Sequence, residues 1–379
     1  MGGTTGADGG INTQAVLSMV GSGYYSERTA GARDVINNAA QMVLAALAET
    51  PDTPAIRFAD FGAADGGTSQ QLWDSVVKAY RDNGDSRQIE ILYTDLASND
   101  FSTLFRMMQG MQGDATHAYQ VNHDNVFVHG CGTGFHKQLM QDGSLNLGFS
   151  ATAMHYVSAK PSEIPNHVHA TRAEGEVHAA FAAQAADDWE RILLGRAAEL
   201  MPGGRFICLN FGIDNEGRYL GNTGGHHMFD NFDKHWRALR DEGIITDIEY
   251  EKATFAQYYR DLDEFRAPFD DPDSSVSKAG LRLKSITSRL TKCPYEAAFL
   301  NSGGTMSNAE YAASLIPTMR SWSETVFRTA LEGREAGEID RIVDRFYAMR
   351  FGGQPPASDH AEVTERALRE LSDALDAGP

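Results

Sequence analysis

Apolar runs recur along the chain at intervals that fit strand, helix, strand. Apolar residues lead from Ile56 into Asp60, three glycines (Gly62, Gly66, Gly67) follow within seven positions, and Gln70 to Tyr80 carries a helical pattern. Gln88–Tyr93, Asn125–Val128, Leu145–Phe149 and Arg205–Phe211 read as four further strands, being short apolar runs bounded by turn residues. The helices between them predict a parallel, doubly wound α/β sheet. Before it, Val35, Ala39, Met42, Val43 and Ala46 predict one helix from Ala30 to Glu49, ended by Pro51 and Pro54. Asn99 and Asp100 start a helix whose apolar face carries Phe101, Leu104, Phe105 and Met108, with Asp100 as its cap. The Ala-rich stretch from 166 ends in a turn, Met201-Pro-Gly-Gly204.

From about Asp214 the pattern changes. An aromatic-rich helix over His226–Arg240, a short helix over Phe255–Leu262, an acidic loop over Pro268–Ser277 and a helix over Asn308–Glu332 predict a mostly helical cap. The expected organisation is a flexible terminus over 1–20, a ligand-binding α/β domain over 21–213, a cap with returning strand elements over 214–335 and a closing segment over 336–379.

Charge and composition narrow the partners. A formal charge of −19 on 379 residues, with Arg and Lys scattered, speaks against nucleic acid. Cys131, Cys208 and Cys293 lack metal-ligand spacing and read as reduced thiols of a cytoplasmic protein. The apolar run near Ala39–Ala48 is too short to span a bilayer, and the first ten residues carry no basic signal region. His167, His169 and His178 form no i, i+4 pair backed by carboxylates, so no metal site is expected.

The chemistry gathers at the strand ends. A strand, a glycine turn and a helix N-terminus cradle nucleotide-like ligands, and Asp60 there could hold a hydroxyl or a cation. Asp95, some thirty positions beyond the glycine turn, is placed to bond ribose hydroxyls. Gly130–Phe135 is either a second turn that meets a flat base, with Phe135 stacked on it, or a plain crossover loop. His155 and Tyr156 form a polar pair facing the same crevice. The Gly-x-Ser-x-Gly elbow, the P-loop and the Gly-x-Gly-x-x-Gly fingerprint are all missing. An acid after strand one, a glycine turn and an acid after strand two are the parts of an S-adenosylmethionine site.

Five motifs carry a resemblance to the SABATH carboxyl methyltransferases. Asp60-Phe-Gly-Ala-Ala-Asp-Gly-Gly-Thr resembles that family's Asp-Leu-Gly-Cys-Ala-Ser-Gly, and Thr94-Asp-Leu-Ala-Ser-Asn-Asp-Phe101 its Asn-Asp-Leu-x-x-Asn-Asp-Phe. Gly132-Thr-Gly-Phe-His136, Ala153-Met-His-Tyr156 and Met201-Pro-Gly-Gly-Arg205 resemble Pro-Gly-Ser-Phe-Tyr, Ser-Leu-His/Met-Trp and the turn before strand five. The resemblance implies a Rossmann-like class I methyltransferase sheet with a mostly helical cap, in a bacterial, cytoplasmic, homodimeric member. Asp60 and Gly62 would contact the cofactor's methionine end with Ser22 and Tyr25 nearby, Asp95 would hold the ribose, Leu96 the adenine, and Gly134 and Phe135 would flank the adenosine. His155 and Tyr156 would hold the acceptor carboxylate beside Tyr25, and His226, Phe229 and Trp236 would close over its tail.

Three departures stand out. The family's carboxylate-binding Gln falls at Ala32, and its Trp falls at Tyr156. The C-terminus, Asp359–Ala377, reads as a helix where the family ends on a strand, leaving Ile339–Phe346 as a candidate strand. The expected activity is esterification of a small hydrophobic acid, aromatic or isoprenoid. N-methylation of a heterocycle and non-catalytic cofactor binding are the alternatives.

Overall fold

A computed structural model describes residues 11–12, 19, 23–222, 227–291 and 293–352. Five strands, β1 (Ala55–Phe61), β2 (Gln88–Asp95), β3 (Val126–Gly132), β4 (Leu145–Ala151) and β5 (Leu200–Leu209), form one parallel sheet in the order β3-β2-β1-β4-β5. The segment expected to be flexible, 1–20, lies almost wholly outside the described residues, as does Asp359–Ala377.

Helices cover both faces of the sheet, as an all-parallel sheet requires. On one face Phe58 stacks on Trp73 at 5.3 Å, and Tyr93 and Phe149 join the same cluster. Trp73 comes from α4 (Gln70–Asp82), whose buried positions Leu72, Trp73, Val76 and Val77 form one helical stripe. On the other face Ala59, Phe61 and Leu92 pack on Trp189, Ile192 and Leu193 of α6 (Gly175–Glu199). Successive strand residues thus serve opposite cores, which is why β1 is apolar almost throughout. The helix α5 (Phe101–Met108) opens on Asp100, whose carboxylate accepts the Thr103 N–H at 3.0 Å, the expected cap.

The segment expected as one helix over Ala30–Glu49 is two, α2 (Ala30–Asn37) and α3 (Ala40–Ala48), preceded by the short α1 (Tyr24–Arg28). The break after α2 falls at Asn38, a poor helix former, where the Ala39 N–H bonds Ile36 O at 3.0 Å and tightens the turn. Met201–Gly204 is not a turn before the last strand but part of it. Leu145 pairs with Leu200 and Leu147 with Arg205, so β5 bulges there, with Gly203 at φ 84°.

The cap is helical, with α7 (Met228–Asp241), α8 (Asn308–Ala330) and α9 (Ala336–Gly352) around an aromatic core of Phe232, Trp236, Phe327 and Phe346. Ile339–Phe346 lies in α9 and supplies no strand, because Ile342, Val343 and Phe346 fall on one buried helical face. Phe255–Leu262 is not helical either. The next helix starts at Leu262, fixed by a capping box in which Asp261 and Glu264 bond each other's backbone N–H, and it runs through Pro268 to Asp270. Upstream of that point the chain is extended. Val157 N–H bonds Ala256 O at 3.0 Å and Tyr258 N–H bonds His155 O at 2.9 Å, so Gln257 faces Tyr156 across a single antiparallel bridge.

Candidate functional site

A crevice opens at the carboxyl ends of the strands, where the chain order reverses between β1 and β4, the position at which open α/β sheets bind ligands. Gly62 and Ala64 line it after β1, Asp95 and Leu96 at the end of β2, Gly134 and Phe135 after β3, and Thr152, Ala153 and Tyr156 after β4. Tyr25 of α1 lines the fourth side. Seven residues singled out from sequence, Tyr25, Gly62, Asp95, Leu96, Gly134, Phe135 and Tyr156, are therefore brought together. Ser22 and His226 lie outside the described residues.

The glycine turn is held by its neighbour strand. Gly62 and Ala63 donate to Thr94 O at 2.9 and 3.1 Å, and Ala64 N–H donates to Asp95 Oδ2 at 2.7 Å. Asn99 Nδ2 donates to Ala64 O at 2.7 Å. Gly62 sits at φ 76°, and a Cβ there would come 2.5 Å from the Ala153 Cβ, so no larger residue fits. Ala64 and Thr152, both lining the crevice, take φ 49° and 52°, a left-handed backbone that costs a non-glycine residue about 1–3 kcal/mol. Such strain gathers where a site over-determines its geometry.

Asp95 turns one oxygen to Ala64 N–H and the other to Leu96 N–H, each at 2.7 Å, and stays partly open to the crevice. Each carboxylate oxygen keeps a further lone pair for a ligand hydroxyl. Burial raises its pKa above the ordinary aspartate value.

Asp60 does not join the lining. It shares the strand face of Phe58, so its carboxylate points under the turn toward α4, where it accepts Trp73 Nε1–H at 2.9 Å and is 3% exposed. Burial pushes its carboxyl up to about 6. The folded protein then holds a proton there that the unfolded chain releases near pH 4, so stability falls as pH rises from about 4 through 6. Asp60→Asn keeps an acceptor for Trp73 and removes that cost. The variant is expected to gain up to about 3 kcal/mol over wild type at pH 7, an advantage that disappears by pH 4 in urea titrations.

Sequence reasoning missed Asp65. It accepts Ser26 N–H at 3.1 Å and Gly67 N–H at 3.2 Å and so ties α1 onto the glycine turn. Asp-Gly-Gly after a strand is a turn signal that could have pointed to it.

On the far side of Tyr156 the crevice meets rings. His155 packs on Tyr156 at 4.5 Å and on Tyr259 at 5.6 Å; Tyr259 packs on His169 at 5.0 Å, and His169 stacks on Phe229 at 3.7 Å. His155 stands behind this wall, 3% exposed, with Nδ1 3.3 Å from Asn210 Oδ1, and burial holds its pKa down at about 3. Trp236, expected near the ligand, lies two turns along α7 from Phe229, packed on Phe327 at 4.9 Å in the cap core. Gln257, Tyr259 and His169 were not singled out as lining residues. Only the contact between the loop after β4 and the extended cap segment places them there.

Residues 20–345 match the family described as SAM dependent carboxyl methyltransferase. The chain is similar to gibberellic acid methyltransferase 1 of Arabidopsis thaliana, 26% identical over 57% of this chain and 61% of that one. It is also similar to the farnesoic acid carboxyl-O-methyltransferase of the same plant, 23% identical over 69% and 74%. The match to gibberellic acid methyltransferase 1 thus spans about three fifths of that relative's length. Among solved structures it resembles a loganic acid methyltransferase with SAH, at TM-score 0.69 and 18% identity, over 89% of this chain and 91% of that one, a likeness of fold.

Proposed function

The chain belongs to the SAM dependent carboxyl methyltransferase family, and we propose on that footing that it esterifies the carboxylate of a small apolar acid with S-adenosylmethionine as methyl donor. The observation that carries this reading is the meeting, at Tyr156, of an acid-lined crevice and an aromatic wall. The crevice fits the cofactor by its donor set. Asp95 keeps acceptor capacity for ribose hydroxyls, Leu96 and Phe135 offer apolar faces to a base, and the nearby carboxylates of Asp65 and Asp95 favour a ligand that carries positive charge.

When bound, S-adenosylmethionine supplies a methyl group on a positively charged sulfur. The chain's own part is to bind, align and exclude water. An acceptor carboxylate is already ionised at neutral pH, so no base is needed. His155, neutral down to about pH 3, is accordingly no proton carrier. Transfer of that methyl group to the carboxylate oxygen would leave the carbon–sulfur electron pair on sulfur and move no proton, so the chain's residues need only hold the two in line. Alignment in a closed pocket can supply about 7–11 kcal/mol of barrier lowering. Loss of the positive charge then weakens the hold of the acidic crevice on the spent cofactor, which favours its release.

Gibberellic, farnesoic and loganic acids, named for the relatives, support a carboxylic acid as the acceptor. We also place the protein in the cytoplasm of a bacterium as a homodimer. Among the described residues no helix is long and apolar enough to cross a membrane. The decisive experiment pairs thermal shift with product analysis. S-adenosylmethionine and S-adenosylhomocysteine at millimolar concentration are expected to raise the melting temperature by mass action. Methyl esters are expected from at least one of benzoate, salicylate, indole-3-acetate, cinnamate and farnesoate. No shift with either cofactor form overturns the reading.

A further inference from the structure

We propose that Gln257 and His169 form a neutral clamp that holds the acceptor's carboxylate, an assignment that rests on the carboxyl methyltransferase reading above. In the extended segment Phe255–Arg260 side chains alternate, so Ala256 and Tyr258 join one apolar cluster while Phe255, Gln257 and Tyr259 face the other way, Phe255 and Tyr259 into the cap core. Gln257, 1% exposed, therefore places a primary amide among aromatic rings. A buried amide costs free energy unless it is hydrogen-bonded. Its Oε1 accepts the Tyr259 hydroxyl at 3.4 Å, and its side chain neighbours the Tyr156 hydroxyl at the crevice edge. The amide is thus held between the crevice residue Tyr156 and the cap ring of Tyr259.

His169 supplies the second donor. Its Nδ1 accepts Thr171 N–H at 3.1 Å, which leaves the proton of the neutral ring on Nε2. The ring is fully buried, 0% exposed, and fixed face to face on Phe229. Its Nε2 makes no hydrogen bond of normal geometry in the structure, although Gln257 is its close neighbour. Burial also keeps the ring uncharged at neutral pH, so the Nε2–H persists beside the Gln257 amide.

Gln257 neighbours Tyr156, a crevice residue, and His169 neighbours Gln257, so an anion held by the two would lie on the Tyr156 side of the crevice. The nearest buried cation, Arg260, alternates to the opposite side of the segment, where Nη1 donates to Met154 O at 2.9 Å. An oxygen bound by uncharged donors keeps more of its nucleophilicity than one paired with a guanidinium. The clamp also selects acids over their neutral analogues, because a methyl ester offers the two donors no anion.

Binding of farnesoate and of indole-3-acetate is measured by calorimetry on protein saturated with S-adenosylhomocysteine, in wild type, Gln257→Leu and His169→Phe. The phenylalanine keeps a ring stacked on Phe229 while it deletes the Nε2 donor, together with the Nδ1 acceptor of the Thr171 N–H, and a circular dichroism control checks that the variant folds. Each variant is expected to weaken the bound acid about 10- to 100-fold, with S-adenosylhomocysteine affinity unchanged and little change for the methyl ester. Equal acid affinity in wild type and both folded variants overturns the clamp, as does failure of the wild type to bind either acid. Loss of S-adenosylhomocysteine binding by the wild type instead overturns the cofactor reading itself.

Discussion

Asp95→Ala is expected to lower S-adenosylhomocysteine affinity at least about 100-fold while leaving the fold intact. Both carboxylate oxygens already accept a backbone N–H at 2.7 Å, and each has a lone pair left for a ribose hydroxyl. Two hydrogen bonds to a charged acceptor contribute roughly 1.5–3 kcal/mol each. Alanine also unties the Ala64 N–H from a turn whose left-handed residue needs holding. The sheet survives, because its two cores are built from β1, β2, α4 and α6 side chains that do not include Asp95. Calorimetry with a circular dichroism control checks this, and wild-type affinity in the variant would remove Asp95 from the site. Since burial raises its pKa, wild-type affinity should also decline on acidification earlier than an ordinary aspartate would dictate.

The second large effect is on stability. Arg196 and Glu199, at the end of α6, are both 0% exposed and joined by two bonds of 2.7 and 2.8 Å. Arg196 also donates to Phe135 O and Lys137 O, each at 3.0 Å, and Glu199 accepts the N–H groups of Leu139 and Met140. This pair holds the loop that carries Gly134 and Phe135 into the crevice. Arg196→Leu leaves a buried carboxylate without its cation, which costs about 3–5 kcal/mol. A lower urea midpoint at unchanged slope, with weaker cofactor binding through the loosened loop, is the expected result. Arg196→Leu with Glu199→Leu should recover much of the stability, because apolar replacement of a buried pair is often neutral. It should not recover the affinity, because the loop carbonyls stay untied. A single variant as stable as wild type would show that the pair does not hold the loop.

The sheet was legible because a strand buried on both faces leaves an apolar run with little else to explain it, as in Ile56–Phe61 and Gln88–Tyr93. The crevice was legible for the same local reason: Gly62, Asp95 and Phe135 follow strand ends directly. What escaped depends on distance along the chain. Asp60 sits in the right motif, but the parity of β1 turns it toward Trp73. Phe255–Arg260 has helical propensity in isolation, and the bridge to Tyr156, about a hundred residues earlier, makes it extended. Gln257 and His169 thus acquire their surroundings only through that bridge. In Met201–Gly204 the residues announce a turn, yet the strand pairing to Leu145 and Leu147 absorbs them as a bulge.

The helix α1 has a kinetic consequence. It is five residues long, anchored at Ser26 to Asp65 under the glycine turn, while the Arg28 carbonyl accepts the Tyr295 hydroxyl at 2.7 Å and the Thr318 hydroxyl of α8. One end thus belongs to the cofactor crevice and the other to the cap over the acceptor. Methyl donor before acid, ester before spent cofactor, is the order expected of a helix shared in this way, and product-inhibition patterns of a random mechanism would contradict it.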